Sequence, residues 1–235
     1  MQSCLNCSFL QTKYPFADDA ISRLYSDYRS DSYNRERIFY EPDYANYAVL
    51  VGPYTEGNLE RIPALTAWIR RHLDLTGASM LDYGGADGKY LPAFDGSKFV
   101  YEISDIAPEA GVTRISSAAH LESYDYVQLS HVLEHVTHPL LMVREVAKTV
   151  RAGGHLLIEV PQDLASNLIA DIQRGASSDT LSIHEHINQY SVAAVAALVQ
   201  AAGLEVVALE PIPVKTPWSS QDFIRCLAQR SPAAS

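Results

Sequence analysis

The sequence predicts an α/β chain: a doubly wound, mostly parallel sheet with helices on both faces, preceded by an N-terminal cap that is mostly irregular or helical. Three observations predict it. From residue 78 onward, short apolar runs of strand length alternate with segments of helical period. The first of those runs passes through an acid into a glycine-rich turn, Met80-Leu81-Asp82-Tyr83-Gly84-Gly85-Ala86-Asp87-Gly88. A buried strand hands over to a ligand-binding loop in this way at the carboxyl edge of such a sheet. Finally, 235 residues with 47% hydrophobic content suffice for one sizeable core and a smaller appendage.

The elements follow in order. Residues 1–58 read as the cap: eight of the fourteen tyrosines fall there, and apolar periodicity is poor apart from a helix over 18–29. The remaining domain, 59–230, opens with a helix over 60–73, where Leu59, Ile62, Leu65, Ile69 and Leu73 share a face. Pro63 sits near its start, where a missing N–H costs little, and Gly77 closes the segment. Strands are predicted over 79–83, 98–105, 112–115 and 124–130. Pro139 starts a helix capped by Thr137, with Val143, Val146 and Ala147 turned inward and Gly153-Gly154 as its stop. A strand over 155–160 follows. Ser191 caps a last helix that Gly203 ends, and strands over 204–209 and 223–228 complete the sheet.

Composition narrows the function. The chain has 18 basic and 28 acidic side chains, a formal charge of −10. Such a surface repels phosphate backbones, so general nucleic-acid binding is not expected. No apolar run approaches the ~20 residues a membrane helix needs, and the start lacks a basic, then apolar, leader pattern. A cytoplasmic protein is expected, with Cys4, Cys7 and Cys226 reduced.

The glycine turn reads Gly-Gly-Ala-Asp-Gly rather than the Gly-x-Gly-x-x-Gly of a pyrophosphate loop. Asp87 inside it would repel a pyrophosphate but tolerate an ammonium or sulfonium. That favours S-adenosyl-L-methionine over NAD. An NAD-dependent oxidoreductase or epimerase on a similar sheet is the alternative, but Tyr25, Tyr40 and Tyr90 lack the lysine four positions on that such enzymes use. Asp105, predicted to end the second strand 23 positions after Asp82, suits the hydroxyls of a ribose. Glu102 is its rival, placed by alternation on the opposite face.

Further on, His184-Glu185-His186 forms a triplet. In an extended segment the two histidines face one side. A neutral imidazole accepts a proton near physiological pH and a carboxylate can orient it. These three are the catalytic candidates, with His186 preferred as base. As metal ligands the two histidines lack an evident third, and no metal is expected. In the cap, Arg35 and Arg37 alternate with Tyr33 and Tyr40. Guanidinium forks bind carboxylate or phosphate and tyrosines stack on rings, so an anionic acceptor such as a nucleotide sugar would fit. The alternative is a solvated helix paired with Asp31 and Glu36.

Taken together, Leu81-Asp82-Tyr83-Gly84, Asp105-Ile106, Leu133-Glu134-His135-Val136, Ala152-Gly153-Gly154, Ile158-Glu159-Val160-Pro161, Glu185-His186-Ile187-Asn188 and Ala202-Gly203-Leu204 resemble the class I S-adenosylmethionine-dependent methyltransferases. The likeness is strongest to the group whose fourth strand runs into Leu-Glu-His-Val, and the Glu185–Ser191 pattern is similar to that of sugar C-methyltransferases. The pieces span about residues 78–210 in order. The departure is Ala86, where the family usually has a glycine. The resemblance implies a Rossmann-like seven-stranded sheet of order 3-2-1-4-5-7-6 and S-adenosyl-L-methionine as cofactor, with S-adenosyl-L-homocysteine as product. It places Asp82, Tyr83, Gly84, Gly85 and Gly88 around the amino-acid part of the cofactor, Asp105 at the ribose and Ile106 at the adenine. Ser117 and Ala118 fall at the adenine edge, and Ser130 and His131 beside the methionine. Beside these, His135 and Tyr190 are candidates at the acceptor with Arg35, Arg37 and Tyr40; the alternative for His135 is that it caps or orients the loop after the fourth strand. The resemblance further implies O- or C-methylation of a small molecule, whether sugar, polysaccharide precursor or secondary metabolite, by a monomer or homodimer. A non-catalytic S-adenosylmethionine-binding module is a further alternative. Cys4-x-x-Cys7 resembles the second knuckle of the zinc ribbon that precedes some of these domains. Without the first knuckle it reads as a vestigial half, and zinc is not expected there.

Overall fold

The computed structural model describes residues 1–14, 16–27, 30–40, 42, 45, 61–116, 123–162, 186–215 and 220–232. Two short strands, β1 (Gln2–Ser3) and β2 (Leu10–Gln11), precede helices α1 (Asp18–Ser26) and α2 (Asp31–Tyr40). Helix α3 (Arg61–Arg70) then leads into strands β3 (Ala78–Tyr83), β4 (Gly96–Tyr101), β5 (Val112–Ile115) and β6 (Tyr124–Ser130). Helix α4 (Pro139–Thr149), β7 (Val150–Pro161), β8 (Asn188–Gln189), α5 (Val192–Ala201), β9 (Glu205–Lys215) and β10 (Ser220–Gln229) follow.

Seven strands form one sheet in the order β5-β4-β3-β6-β7-β10-β9. Numbered along the chain, that is 3-2-1-4-5-7-6, as the resemblance implied. The first five are parallel, and β10 runs antiparallel to both β7 and β9. From β3 the chain winds outward to β4 and β5, then returns to place β6 on the other side of β3. That reversal opens a crevice at the carboxyl ends of β3 and β6, where a doubly wound sheet binds its ligand.

Alternation within the strands makes the two covering layers. Leu81, Val127, Leu129, Leu156 and Ile158 share a core with Val143 and Val146 of α4 and Val195 and Val199 of α5. Their neighbours Met80, Tyr126, Leu157 and Leu227 point the other way, onto Leu65, Trp68 and Ile69 of α3. Side chains of successive strand residues leave on opposite faces, so one run serves both layers. Helix α4 starts on Pro139 with His138 at its cap position and no side-chain capping bond, so Thr137 does not cap it as expected, whereas α5 is capped by Ser191, whose Oγ accepts from the Ala194 amide at 3.0 Å. Among the described residues, no helix is long and apolar enough to cross a membrane.

Two further local expectations are corrected. Gly153 and Gly154 do not stop α4, which already ends at Thr149 and passes directly into β7. They lie inside the strand, where Gly153 takes φ +75° and a β-carbon on Gly154 would meet the Asp125 carbonyl at 2.9 Å. The glycines therefore serve a close strand approach beside a register shift between β6 and β7. The second strand ends at Tyr101 rather than at residue 105. The solvated-helix reading of the Arg35–Tyr40 stretch is the one found, as α2, which buries no residue.

The N-terminal segment is stitched to the rest of the chain. β2 pairs with β8, Gln11 Nε2 donates to Asn188 Oδ1 at 2.9 Å and to the Thr137 carbonyl at 3.1 Å, and Ser191 Oγ donates to the Cys7 carbonyl. Cys4 is exposed, Cys7 half-buried and Cys226 buried in β10, all three as free thiols.

Candidate active site

Three groups of residues meet around the carboxyl ends of the parallel strands. The first is the turn after β3. Asp82 is 1% exposed, and its Oδ1 has no hydrogen-bond partner. Burial pushes its carboxyl up to about 7; Gln128 and Arg61 oppose the rise, and Asp87 and Glu102 add to it. The turn folds over this carboxylate. Gly84 and Gly88 hold φ of +74° and +76°, a region glycine enters freely, and Ala86 is forced to +55°. A β-carbon on Gly84 would press on Val132 at 3.0 Å and one on Gly88 would meet Val112 at 2.9 Å, so the turn lies close on its neighbours.

Glu102 fastens the turn from the neighbouring strand. It directly follows β4, and its Oε2 accepts from the Ala86 amide at 2.9 Å while Oε1 accepts from the Ser104 amide at 2.9 Å. Arg114 pins the same segment through the carbonyls of Ile106 (2.8 Å), Glu102 (3.2 Å) and Ser104.

The second group is a buried ionic cluster under the ends of β6 and β7. Glu159 is wholly buried. Burial disfavours its charge, but Arg61, Arg225 and His131 outweigh it and hold the carboxyl well below the usual range. Arg225 Nε donates to Oε2 at 2.5 Å. Arg61 reaches Oε1 and also donates to Ser130 Oγ at 2.6 Å, while Ser130 itself donates to Oε1 at 3.0 Å. The Arg61 guanidinium lies 4.7 Å from the Tyr90 ring centre and 5.3 Å from that of Phe223.

The third group is a set of imidazoles around Glu134. A one-turn 3-10 helix, Leu133–His135, follows β6. It buries Glu134 to 1% exposure and leaves His135 half-buried. His131, at a left-handed φ of +55°, brings Nδ1 to 3.1 Å from Glu134 Oε1 and Nε2 to 3.8 Å from Glu159 Oε1. His135 Nε2 lies 3.9 Å from Glu134 Oε1, and the His135 and His186 rings meet edge to face at 5.0 Å. Burial would raise the Glu134 carboxyl, yet His135, His131 and His186 together bring it down to about 2. Asn188 locks the two segments together by donating Nδ2 to the carbonyls of Leu133 at 2.9 Å and Val136 at 2.6 Å.

A family described as a methyltransferase domain matches residues 58–209. The chain belongs to this methyltransferase family. Its fold is shared with a 1,6-didemethyltoxoflavin-N1-methyltransferase of Burkholderia thailandensis, solved with its substrate and S-adenosylhomocysteine, at 14% identity and TM-score 0.59 over 98% of both chains. Magnesium protoporphyrin IX methyltransferase from Synechocystis PCC 6803, also with S-adenosylhomocysteine, aligns at 15% identity and TM-score 0.53 over 86% of this chain and 100% of that one. The 4+2 cyclase SpnF aligns at 12% identity and TM-score 0.56 over 85% and 95%. No curated protein matches the sequence significantly.

Among the residues expected at the site of this methyltransferase-family chain, the structure gathers Asp82, Tyr83, Gly84, Gly85, Gly88, Ser130, His131, His135 and His186 around the ends of β3 and β6. Tyr83 packs on Tyr101, ring centres 4.8 Å apart. Asp105 does not end the second strand: it lies exposed, four residues past the end of β4, whereas Glu102 sits at the strand end and touches the turn. Half-buried Ile106 is held by Arg114 through its carbonyl. Tyr190 is corrected too. It is 1% exposed and donates its hydroxyl to the Leu133 carbonyl at 3.0 Å, so it braces the 3-10 turn from the core. Arg35 and Tyr40 are exposed on α2, and Arg37 there donates to Tyr33 Oη at 2.9 Å. Ser117, Ala118, His184 and Glu185 lie outside the described residues.

Arg61, Glu134, Glu159 and Arg225 were not picked out as site residues from the sequence. Glu159 and Arg225 carry a signal, since each interrupts an apolar strand and a buried charge needs a partner. Arg61 carries none, because an arginine at a helix start is ordinary.

Proposed function

We propose that this chain is an S-adenosyl-L-methionine-dependent methyltransferase acting on a small-molecule acceptor, by O- or C-methylation of a sugar, polysaccharide precursor or secondary metabolite. The observation that carries the reading is the buried, unpartnered Oδ1 of Asp82 beneath a turn that Gly84 and Gly88, both at positive φ, fold closely over it. A carboxylate there, with Asp87 and Glu102 close enough to raise its proton affinity, suits an ammonium-bearing ligand and opposes a pyrophosphate. The residues present therefore fit the cofactor. Asp82, Gly84, Gly85 and Gly88 would hold its amino-acid end, Glu102 its ribose hydroxyls, Ile106 its adenine face, and Ser130 and His131 the side nearest the methyl group.

S-adenosyl-L-methionine supplies a methyl already activated on a sulfonium sulfur. The protein's task is then to align an acceptor for in-line attack and to keep water out. The Arg61–Glu159–Arg225 cluster makes the floor rigid under Ser130 and His131. His186, grouped with His135 and Glu134, serves the acceptor end, where an O–H or C–H must lose its proton. The methyltransferases of toxoflavin and protoporphyrin intermediates that share the fold support a small-molecule acceptor, whereas the cyclase on the same fold is a reminder that architecture alone does not carry chemistry.

Thermal unfolding with S-adenosylmethionine, S-adenosylhomocysteine and NADH in parallel tests the reading. A ligand at about 100 times its Kd adds ~2.7 kcal/mol, a shift of a few degrees for a chain this size. Stabilisation by the first two alone is the expected result; stabilisation by NADH alone would overturn it.

A further inference from the structure

We propose that Glu134, His135 and His186 form a binding site for one divalent transition-metal ion of the zinc type, facing the acceptor side of the crevice. The donors come from two segments far apart in sequence, and one ligand atom from each of the three lies within 4.8 Å of the others. The independent sign of a missing ligand is Glu134 itself. It is 1% exposed, and its two carboxylate oxygens find no hydrogen-bond partner, with His131 Nδ1 3.1 Å from Oε1. The surrounding imidazoles favour its charge but leave both oxygens without a hydrogen-bond partner, and an ion between the carboxylate and two imidazoles fills those positions.

The donor set selects the ion. Magnesium and calcium want oxygen ligands, whereas two imidazoles and one carboxylate suit zinc, cobalt or ferrous iron. At bonds of ~2.0–2.2 Å the donors must approach within about 3.4 Å of one another. Rotations of the half-buried His135 and His186 side chains supply that movement while the backbone stays fixed. The backbone is already braced, since Asn188 ties its own segment to the carbonyls of Leu133 and Val136. His131, on the far side of Glu134, is placed to orient the carboxylate as an outer partner.

Three protein ligands leave a tetrahedral ion one open position. An acceptor oxygen there loses its proton more readily, with the electron pair of the broken O–H bond kept on the oxygen and the proton passing to solvent. His186 then serves acceptor deprotonation as a ligand. This use rests on the methyl-transfer reading; the ion site itself does not.

The full-length chain, stripped with chelator and titrated with Co2+, should develop the visible ligand-field absorption of a protein-bound ion at one per chain, and Zn2+ should displace it. Glu134→Gln and His186→Asn should each weaken Co2+ binding at least ~100-fold, with His186→Asn decisive if the buried substitution fails to fold. Cys4→Ser/Cys7→Ser should leave the band unchanged. No band, a band that survives His186→Asn, or one lost only with the cysteines would overturn the site. Calorimetry with S-adenosylhomocysteine on the same samples reads the methyl-transfer proposal separately, so the two can fail independently.

Discussion

A β-carbon on Gly85 would lie 2.0 Å from Cγ of Asp82 and 2.3 and 2.5 Å from its two oxygens. The turn therefore rests directly on the buried carboxylate, and its residue there is fixed by space rather than by backbone angle. Gly85→Ala must lift the turn off Asp82. The expected cost is ~1–3 kcal/mol of stability, as for other overpacked sites, with at least ~10-fold weaker binding of S-adenosylhomocysteine. Denaturant titration and calorimetry measure both. An unchanged variant would mean that the turn stands clear of the acid.

Asp82 also sets a pH dependence. Its folded value of about 7 lies above the 3.8 of an ordinary aspartate. Below about pH 4 the group is protonated in both states and its contribution to stability is complete. Between 4 and 7 only the unfolded chain ionises, so that contribution is lost as pH rises and levels off above 7. Asp82→Asn cannot ionise and escapes the loss. Its stability relative to the natural chain should therefore improve by about 4 kcal/mol between pH 4 and pH 8. Glu134 and Glu159, held low when folded, act in the opposite direction and below that window. A flat difference across this range would show that Asp82 is ionised as readily when folded.

The Glu159–Arg225 pair is buried on both sides, with side-chain exposures of 0% and 1%. Removing Glu159 strands the buried Arg225, which typically costs ~3–5 kcal/mol, whereas removing Arg225 leaves Glu159 its ion pair with Arg61. Glu159→Leu should lose about that much in urea unfolding, and Arg225→Met less. Arg225→Met with Glu159→Leu should lose less than the two single changes together, because Arg225 is then no longer left buried without its carboxylate. Strict additivity would mean the ions do not depend on each other.

His186 stands on the imidazole side of the site, away from the glycine turn. His186→Ala should leave S-adenosylhomocysteine affinity unchanged and slow turnover of an oxygen or carbon acceptor by roughly 10²–10⁴, the span associated with proton removal. The expectation is the same whether the imidazole takes the proton or holds an ion that acidifies the acceptor. Full activity with such an acceptor would remove His186 from the chemistry.

The parallel sheet was legible because its strands are apolar on both faces and broken by glycine and proline, and these signals are local. Strand existence held at every position, while ends moved: β7 starts at Val150 and not at residue 155, since a strand can accept Gly153 and Gly154 where its neighbour comes close. Helix α2 was open to two readings because its sequence is mostly polar and leaves no apolar stripe. In the site, the glycine turn and His186 could be read from type and spacing. The partners that make it work, Arg61 on Glu159 and Asn188 on Leu133, join residues 98 and 55 positions apart. Such pairs become visible only once the sheet order brings them together.

The same limit bears on which acid stands nearest a ribose. Alternation was extended through residue 105, which set Glu102 and Asp105 on opposite faces and favoured the latter. The strand stops at Tyr101, so alternation no longer applies to either residue. Glu102 emerges at the strand end with its carboxylate on the amides of Ala86 and Ser104, and Asp105 lies exposed beyond it. Glu102→Gln keeps the shape but exchanges one acceptor oxygen for a donor, which faces either the amide of Ala86 or that of Ser104. It should weaken S-adenosylhomocysteine binding by ~1–3 kcal/mol, the scale of an unmatched polar group. Asp105→Ala, on an exposed surface position, should stay within about 0.5 kcal/mol. Calorimetry on the two variants decides between the acids, and the reverse order of effects would restore Asp105 to the ribose.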